Sequence, residues 1–68
     1  MNVLKEMKEI ELLNKQNWLS LIKFYNTQLD KHENMYSFFY RLKEKACDEV
    51  QACDIQIQYI DMELMDNE

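Results

Sequence analysis

The chain has 68 residues, a formal net charge of -5, and neither glycine nor proline. A chain this short builds one small domain with a thin core, and it usually needs disulfides, a metal or association for stability. The missing turn residues argue against sheets and glycine-rich phosphate loops, and an acidic surface disfavours nucleic acids and anionic membranes. We therefore expect one all-α domain over residues 1–68.

The N-terminal segment, residues 1–13, carries charged residues from Lys5 onward. It has no run long and apolar enough for a secretory signal or a membrane span, so we expect a cytoplasmic, reducing location. Apolar residues then recur every three or four positions, which predicts a first helix over about 2–28. The stripe we assign to its core-facing side is Val3, Met7, Ile10, Asn14, Trp18, Leu21, Tyr25 and Leu29.

A polar stretch, NTQLDKHEN at 26–34, separates this pattern from the next one. Asp30 followed by Glu33 matches a capping box, in which the two side chains cap the start of a helix reciprocally. We therefore predict a chain reversal near 28–32 and a second helix over about 31–66.

The second helix carries a narrower apolar stripe than the first, of the kind that lines coiled-coil-like interfaces. Its members are Met35, Phe39, Leu42, Ala46, Val50, Cys53, Ile57, Ile60 and Leu64. The predicted fold is an antiparallel two-helix hairpin that associates into a four-helix bundle or with a helical partner.

Two other architectures fit the sequence. A single long coiled-coil helix is compatible with the heptad spacing that runs from Trp18 to Phe39 without a phase break. A three-helix arrangement would break at the polar residues 14–17.

Large apolar residues also lie outside the two stripes, and these are the candidate partner-binding residues. Lysines beside those of the first helix and carboxylates beside those of the second form a predicted charged rim that selects the pairing. The partner-binding set is Leu12, Leu19, Tyr36, Phe38, Tyr40, Ile55, Tyr59 and Met62. The charged rim is Lys5, Lys8, Lys15, Lys23, Glu44 and Asp48.

Residues able to do chemistry are few. Cys47 and Cys53 point too far apart on one helix to form a disulfide, and we interpret them as small hydrophobes. His32 lies at the turn without enough neighbouring ligands for a metal. No known catalytic motif occurs, so we expect no enzyme, no cofactor and no metal.

The charge is uneven, since residues 1–45 carry +2 and residues 46–68 carry -7. The primary hypothesis is a non-enzymatic protein–protein interaction module, as adaptor, co-chaperone or binding inhibitor, with itself or another protein as partner. One alternative is an acidic nucleic-acid mimic of the phage-encoded kind that inhibits a host protein, for which Asp54, Asp61 and Glu68 offer an acidic line a heptad apart. A basic RNA-binding face on the first helix is the other alternative.

Overall fold

The computed structural model describes residues 2–66, which form two long helices joined by one 3₁₀ turn. Helix α1 comprises Val3–Lys31, the turn comprises Glu33–Met35, and helix α2 comprises Tyr36–Asp66. The two helices pack against each other in a rod with principal extents of 53 × 16 × 11 Å. The predicted all-α hairpin is confirmed, and the single continuous helix and the three-helix arrangement are wrong.

Helix α1 begins at a side-chain cap. The side-chain oxygen of Asn2 accepts hydrogen bonds from the amides of Leu4 and Lys5, at 3.0 and 3.4 Å. Such a cap satisfies amides that have no partner inside the helix. Further along, the Thr27 hydroxyl donates to the carbonyl oxygen of Lys23 at 3.1 Å, which lets a poor helix former lie within α1.

The turn lies just beyond the predicted reversal at 28–32, so α1 ends about three residues later than predicted and α2 begins about five residues later. The predicted capping box does not form. Asp30 is still inside α1, and no side chain caps the 3₁₀ turn. The helix instead ends at His32, which has φ -128° and ψ 80°, and whose amide donates to the Gln28 carbonyl at 2.9 Å. No described residue has a positive φ, so this reversal requires no glycine.

Helix α2 turns its predicted stripe toward α1. The three buried residues of the described chain all belong to that stripe: Ala46 is 0%, Cys53 6% and Ile60 4% exposed. Its other members are half-buried except Met35, which is exposed at the turn. The stripe of α2 was therefore predicted correctly over all but its first residue.

The predicted stripe of α1 is rotated by one residue from the side that faces α2. Only Trp18, Tyr25 and Leu29 of that stripe are half-buried, and its remaining members are exposed. The less exposed residues of α1, apart from Gln28, follow a strict heptad spacing, and every one of them is only half-buried. They are Leu4, Lys8, Glu11, Lys15, Trp18, Ile22, Tyr25 and Leu29.

Two ion pairs match the antiparallel register of the hairpin. Lys8 Nζ lies 2.8 Å from an Asp61 carboxylate oxygen, and Lys15 Nζ lies 2.7 Å from one of Asp54. The two lysines are a heptad apart on α1, and the two aspartates are a heptad apart on α2. Because both intervals are the same, the helices stay in one antiparallel register over this stretch.

The hairpin buries little for its size. Its radius of gyration is 15.7 Å, whereas a compact domain of this length would have about 11 Å. Its accessible surface is 5530 Å², and a compact monomer of 8.4 kDa would expose ~4,600 Å². The rod therefore exposes ~900 Å² more than a compact monomer of the same mass.

Candidate partner-binding surfaces

Sixteen large apolar side chains of the described residues are exposed, by 38% to 76%. The eight predicted partner-binding residues, Leu12, Leu19, Tyr36, Phe38, Tyr40, Ile55, Tyr59 and Met62, are all among them. Scattered exposed apolar residues are normal on a protein surface, so their arrangement matters more than their number. Most of them fall on four surfaces: an outer row on α2, an aromatic cluster at the turn, a tyrosine pair on α2, and the exposed apolar side chains of α1.

The first surface is the outer row of α2, formed by Ile55, Tyr59 and Met62. These residues are spaced i, i+4 and i+7, so they share one side of the helix. That side lies nearly opposite Cys53 and Ile60, the residues that α2 buries against α1. The outer row therefore faces away from α1, and no residue between 2 and 66 covers it.

The second surface is an aromatic cluster at the turn. The Phe39 ring is its centre, with centroid distances of 6.5 Å to Tyr25, 6.2 Å to His32 and 5.2 Å to Phe38. Tyr25 in turn meets Phe24 edge-on at 5.9 Å. Phe39 and Tyr25 are half-buried at the middle of this series of ring contacts. Phe24 and Phe38 are exposed at its two ends. The cluster thus links both helices and leaves a phenylalanine exposed on each.

Tyr36 and Tyr40 form a separate pair, with rings stacked 5.8 Å apart at 14°. Tyr40 also lines a shallow groove of about 420 Å³ together with Lys43, Glu44, Cys47 and Asp48. The Glu44 carboxylate raises the pKa of the Tyr40 phenol, by charge repulsion and by accepting its hydrogen bond. The structure therefore brings three predicted residues, Tyr40, Glu44 and Asp48, to one side of α2.

On α1 the predicted residues Leu12 and Leu19 are exposed, but they flank the interface with α2 rather than lie opposite it. The rest of the exposed apolar surface of α1 comprises Val3, Met7, Ile10, Leu13, Leu21 and Phe24. Four of these residues, Val3, Met7, Ile10 and Leu21, were assigned to the core from the sequence. The signal that could have identified this surface is the heptad spacing from Trp18 to Leu29, which continues backward to Leu4.

Part of the predicted charged rim forms ion pairs within the hairpin. Lys8 and Lys15 lie at the interface with α2, where they pair with Asp61 and Asp54, and not on an outer face. The rotation of α1 explains this correction, because it brings these two lysines to the side turned toward α2. Lys5, Lys23, Glu44 and Asp48 are exposed.

The same ion pairs bear on the acidic line proposed for a nucleic-acid mimic. Asp54 and Asp61 have cationic partners within the chain, and Glu68 lies outside the described residues. A mimic needs carboxylates that are free to meet a basic partner. On the basic face of α1, two lysines, Lys8 and Lys15, are likewise paired with carboxylates of α2.

The cysteines lie on different sides of α2. Cys53 is buried against α1, and burial raises the pKa of its thiol, which the Glu11 carboxylate raises further by accepting its hydrogen bond. Cys47 is half-buried in the groove beside Tyr40. Among residues 2–66, no three His, Cys, Asp or Glu side chains are placed to hold a metal ion.

Neither described helix contains an apolar stretch that could cross a lipid bilayer. Comparisons with protein-family models, curated proteins and solved structures found no match to this chain. Function is therefore inferred from the exposed apolar surfaces of the hairpin.

Proposed function

We propose that the protein is a non-enzymatic interaction module that binds a helical partner along the outer row of α2. The observation that carries the proposal is the position of Ile55, Tyr59 and Met62, each at least half exposed on the side of α2 turned away from α1. Anchors at i, i+4 and i+7 are the pattern by which an amphipathic helix lies in the apolar groove of another protein.

Energetics favours apolar contact as the source of affinity. Exposed ion pairs each contribute ~0–1 kcal/mol, whereas burying a large apolar side chain contributes ~1.5–3 kcal/mol. The exposed carboxylates on α2, among them Glu44 and Asp48, select an orientation and a partner with basic residues at its edge. Tyr59 is the best candidate for a dominant contact, because tyrosines are enriched among residues that carry most of the binding energy.

The acidic mimic would bind chiefly through charge, and two of its three proposed carboxylates already have partners in the chain. Salt separates the two modes. Apolar docking persists at about 0.5 M salt, where exposed charges are strongly screened, and binding by a mimic is lost there. No observation favours an RNA-binding face over either.

The test compares two single changes on α2. Tyr59→Glu puts a charge into the outer row, and Gln58→Glu puts the same charge on the neighbouring exposed position. The tagged chain is used to purify partners from cells of its source, and each candidate is then measured in a binary assay with purified protein. We expect wild type and Gln58→Glu to bind equally at low salt and about 0.5 M salt, and Tyr59→Glu to lose ~30-fold or more.

Equal binding by the two variants would show that the outer row does not carry the interaction. Binding that is lost at high salt in the wild type would instead support the acidic mimic. Circular dichroism of both variants checks that each remains helical, which the exposed positions of both side chains predict.

A further inference from the structure

One flank of α1 carries a second regular stripe, in which each residue directly precedes a residue of the stripe that faces α2. We call it the α1 outer stripe, and it consists of Met7, Ile10, Asn14, Asn17, Leu21 and Phe24. All six residues are exposed in the hairpin. Their spacings alternate between three and four, which is the spacing of core positions in a coiled coil. A one-residue offset rotates this stripe by about 100° from the interface with α2.

The α1 outer stripe is nearly symmetric in residue type about its centre. Two asparagines form its centre, an aliphatic residue lies on each side of them, and Met7 and Phe24 close the two ends. If a second copy of α1 packs antiparallel, Met7 meets Phe24, Ile10 meets Leu21, and Asn14 meets Asn17. Each of these contacts then occurs twice, which is the rule for a two-fold symmetric interface.

We propose that the α1 outer stripe is the interface of a homodimer in which two hairpins pack α1 against α1 in this antiparallel register. The inference extends the proposed function, because it assigns a partner to a surface that the outer row of α2 does not use. The central Asn14–Asn17 layers would hydrogen-bond across the axis and fix the register, at some cost in stability.

Charge supports a second copy as the occupant. From Ile10 to Gln28, no charged residue lies on the α1 outer stripe or at the neighbouring positions Leu13, Ser20 and Thr27. At the N-terminal end, Glu6 and Glu9 line a groove together with Ile10 and Leu13. In the antiparallel register the carboxylates of the two copies lie at opposite ends of the interface. Charged residues are 31% of the chain, so this side of α1 is depleted in them. Two copies can approach along it without placing like charges opposite one another.

The available area supports it as well. A standard interface buries about 800 Å² on each partner, and the hairpin exposes ~900 Å² more than a compact monomer. Phe24, which is 53% exposed, alone offers on the order of 100 Å². Five such side chains per copy, with Leu13 included, give on the order of 1,000 Å² for the pair, which is the lower bound for a specific interface.

The test uses charge exchange in the pure, full-length chain. Ile10→Glu and Leu21→Lys each place a charge in the α1 outer stripe, whereas Gln16→Glu places one on another exposed side of α1. In the proposed register residue 10 of one copy meets residue 21 of the other. The double variant Ile10→Glu/Leu21→Lys therefore has opposite charges facing each other twice across the dimer.

Sedimentation equilibrium over a series of concentrations gives the association constant. We expect wild type and Gln16→Glu to reach twice the 8.4 kDa of one chain, each single variant to weaken association at least tenfold, and the double variant to recover most of it. A wild type that stays at 8.4 kDa, or a double variant no tighter than the singles, would overturn the proposal. A monomeric chain would leave the proposal for the α2 outer row standing.

Cross-linking tests the orientation without any added charge. Ile10→Cys and Leu21→Cys are made separately in a background with Cys47→Ser and Cys53→Ala, then mixed and oxidised. We expect a disulfide-linked dimer in the mixture and little in either variant alone. Cross-linking of the Ile10→Cys chain to itself would indicate a parallel pair and contradict the proposed register.

Discussion

The two isoleucines Ile60 and Ile55 test whether α2 has one stabilising side. Ile60 is 4% exposed against α1, and Ile55 is 50% exposed on the opposite side of the same helix. Ile60→Ala removes buried methylenes and leaves a cavity, so the expected loss is at the low end of the ~2–5 kcal/mol range, or about 2.5 kcal/mol. Ile55→Ala loses about half as much buried area and gains a few tenths of a kcal/mol in helix propensity.

These losses are large beside the total. A chain of this length has a free energy of unfolding of roughly 3–10 kcal/mol, and a thin core puts it at the lower end. With a urea m-value of about 1 kcal/mol/M, Ile60→Ala moves the midpoint down by about 2.5 M. Ile55→Ala moves it by less than about 1 M in the monomer.

The assay is urea unfolding followed by circular dichroism, repeated at several protein concentrations because dimer formation adds stability that depends on concentration. Equal losses for Ile60→Ala and Ile55→Ala at the lowest concentration would refute the assignment of an inner and an outer side to α2. A larger loss for Ile55→Ala would place it in the core.

Three further predictions concern the interface between the helices and the two cysteines of α2. Lys15→Met breaks the pair with Asp54 and costs at most ~1 kcal/mol, and urea titrations at rising salt should show the difference from wild type shrinking because the pair is partly exposed. Because the pKa of Cys53 is raised, the folded state holds the thiol proton more tightly than the unfolded state does. The stability that this contributes is complete below the usual pKa of 9.0 and is lost as the pH rises above that value. Glu11→Gln should reduce that fall. A thiol reagent should modify half-buried Cys47 first, and Cys53 only as the hairpin opens; faster reaction at Cys53 would contradict its burial.

The sequence predicts the inner side of α2 well because one narrow apolar stripe runs the whole length of the helix, whereas the apolar residues outside it form only short rows. On α1 two stripes compete, one residue apart. From Trp18 to Leu29 the inner stripe holds larger residues, and this half fixes which side of α1 faces α2. A rigid helix cannot change phase halfway, so the N-terminal half brings Lys8 and Lys15 to the interface. The spacing of apolar residues could not reveal this placement of the lysines. Their partners at the interface, Asp61 and Asp54, are distant from them in sequence.

The prediction of a capping box at the turn was also wrong. Asp30 and Glu33 match a capping box, but the box requires Asp30 to leave the helical conformation. Helix α1 instead continues to Lys31, because no glycine or proline ends it earlier. The eight partner-binding residues were found from their positions outside the stripes, and their role in binding stays a prediction.

The distribution of residue types along the hairpin has a consequence for how the chain folds. Tyr25 and Phe39, in the aromatic cluster, are close in sequence, whereas Lys8 and Asp61 are nearly a whole chain apart. Closing a short loop costs less entropy than closing a long one, so the contacts nearest the turn form first, and they are also the more apolar ones. We expect the aromatic contacts at the turn to be formed in the transition state of folding, and the ion pair near the termini to form after it. Mutations at the turn would then slow folding, while mutations near the termini would speed unfolding.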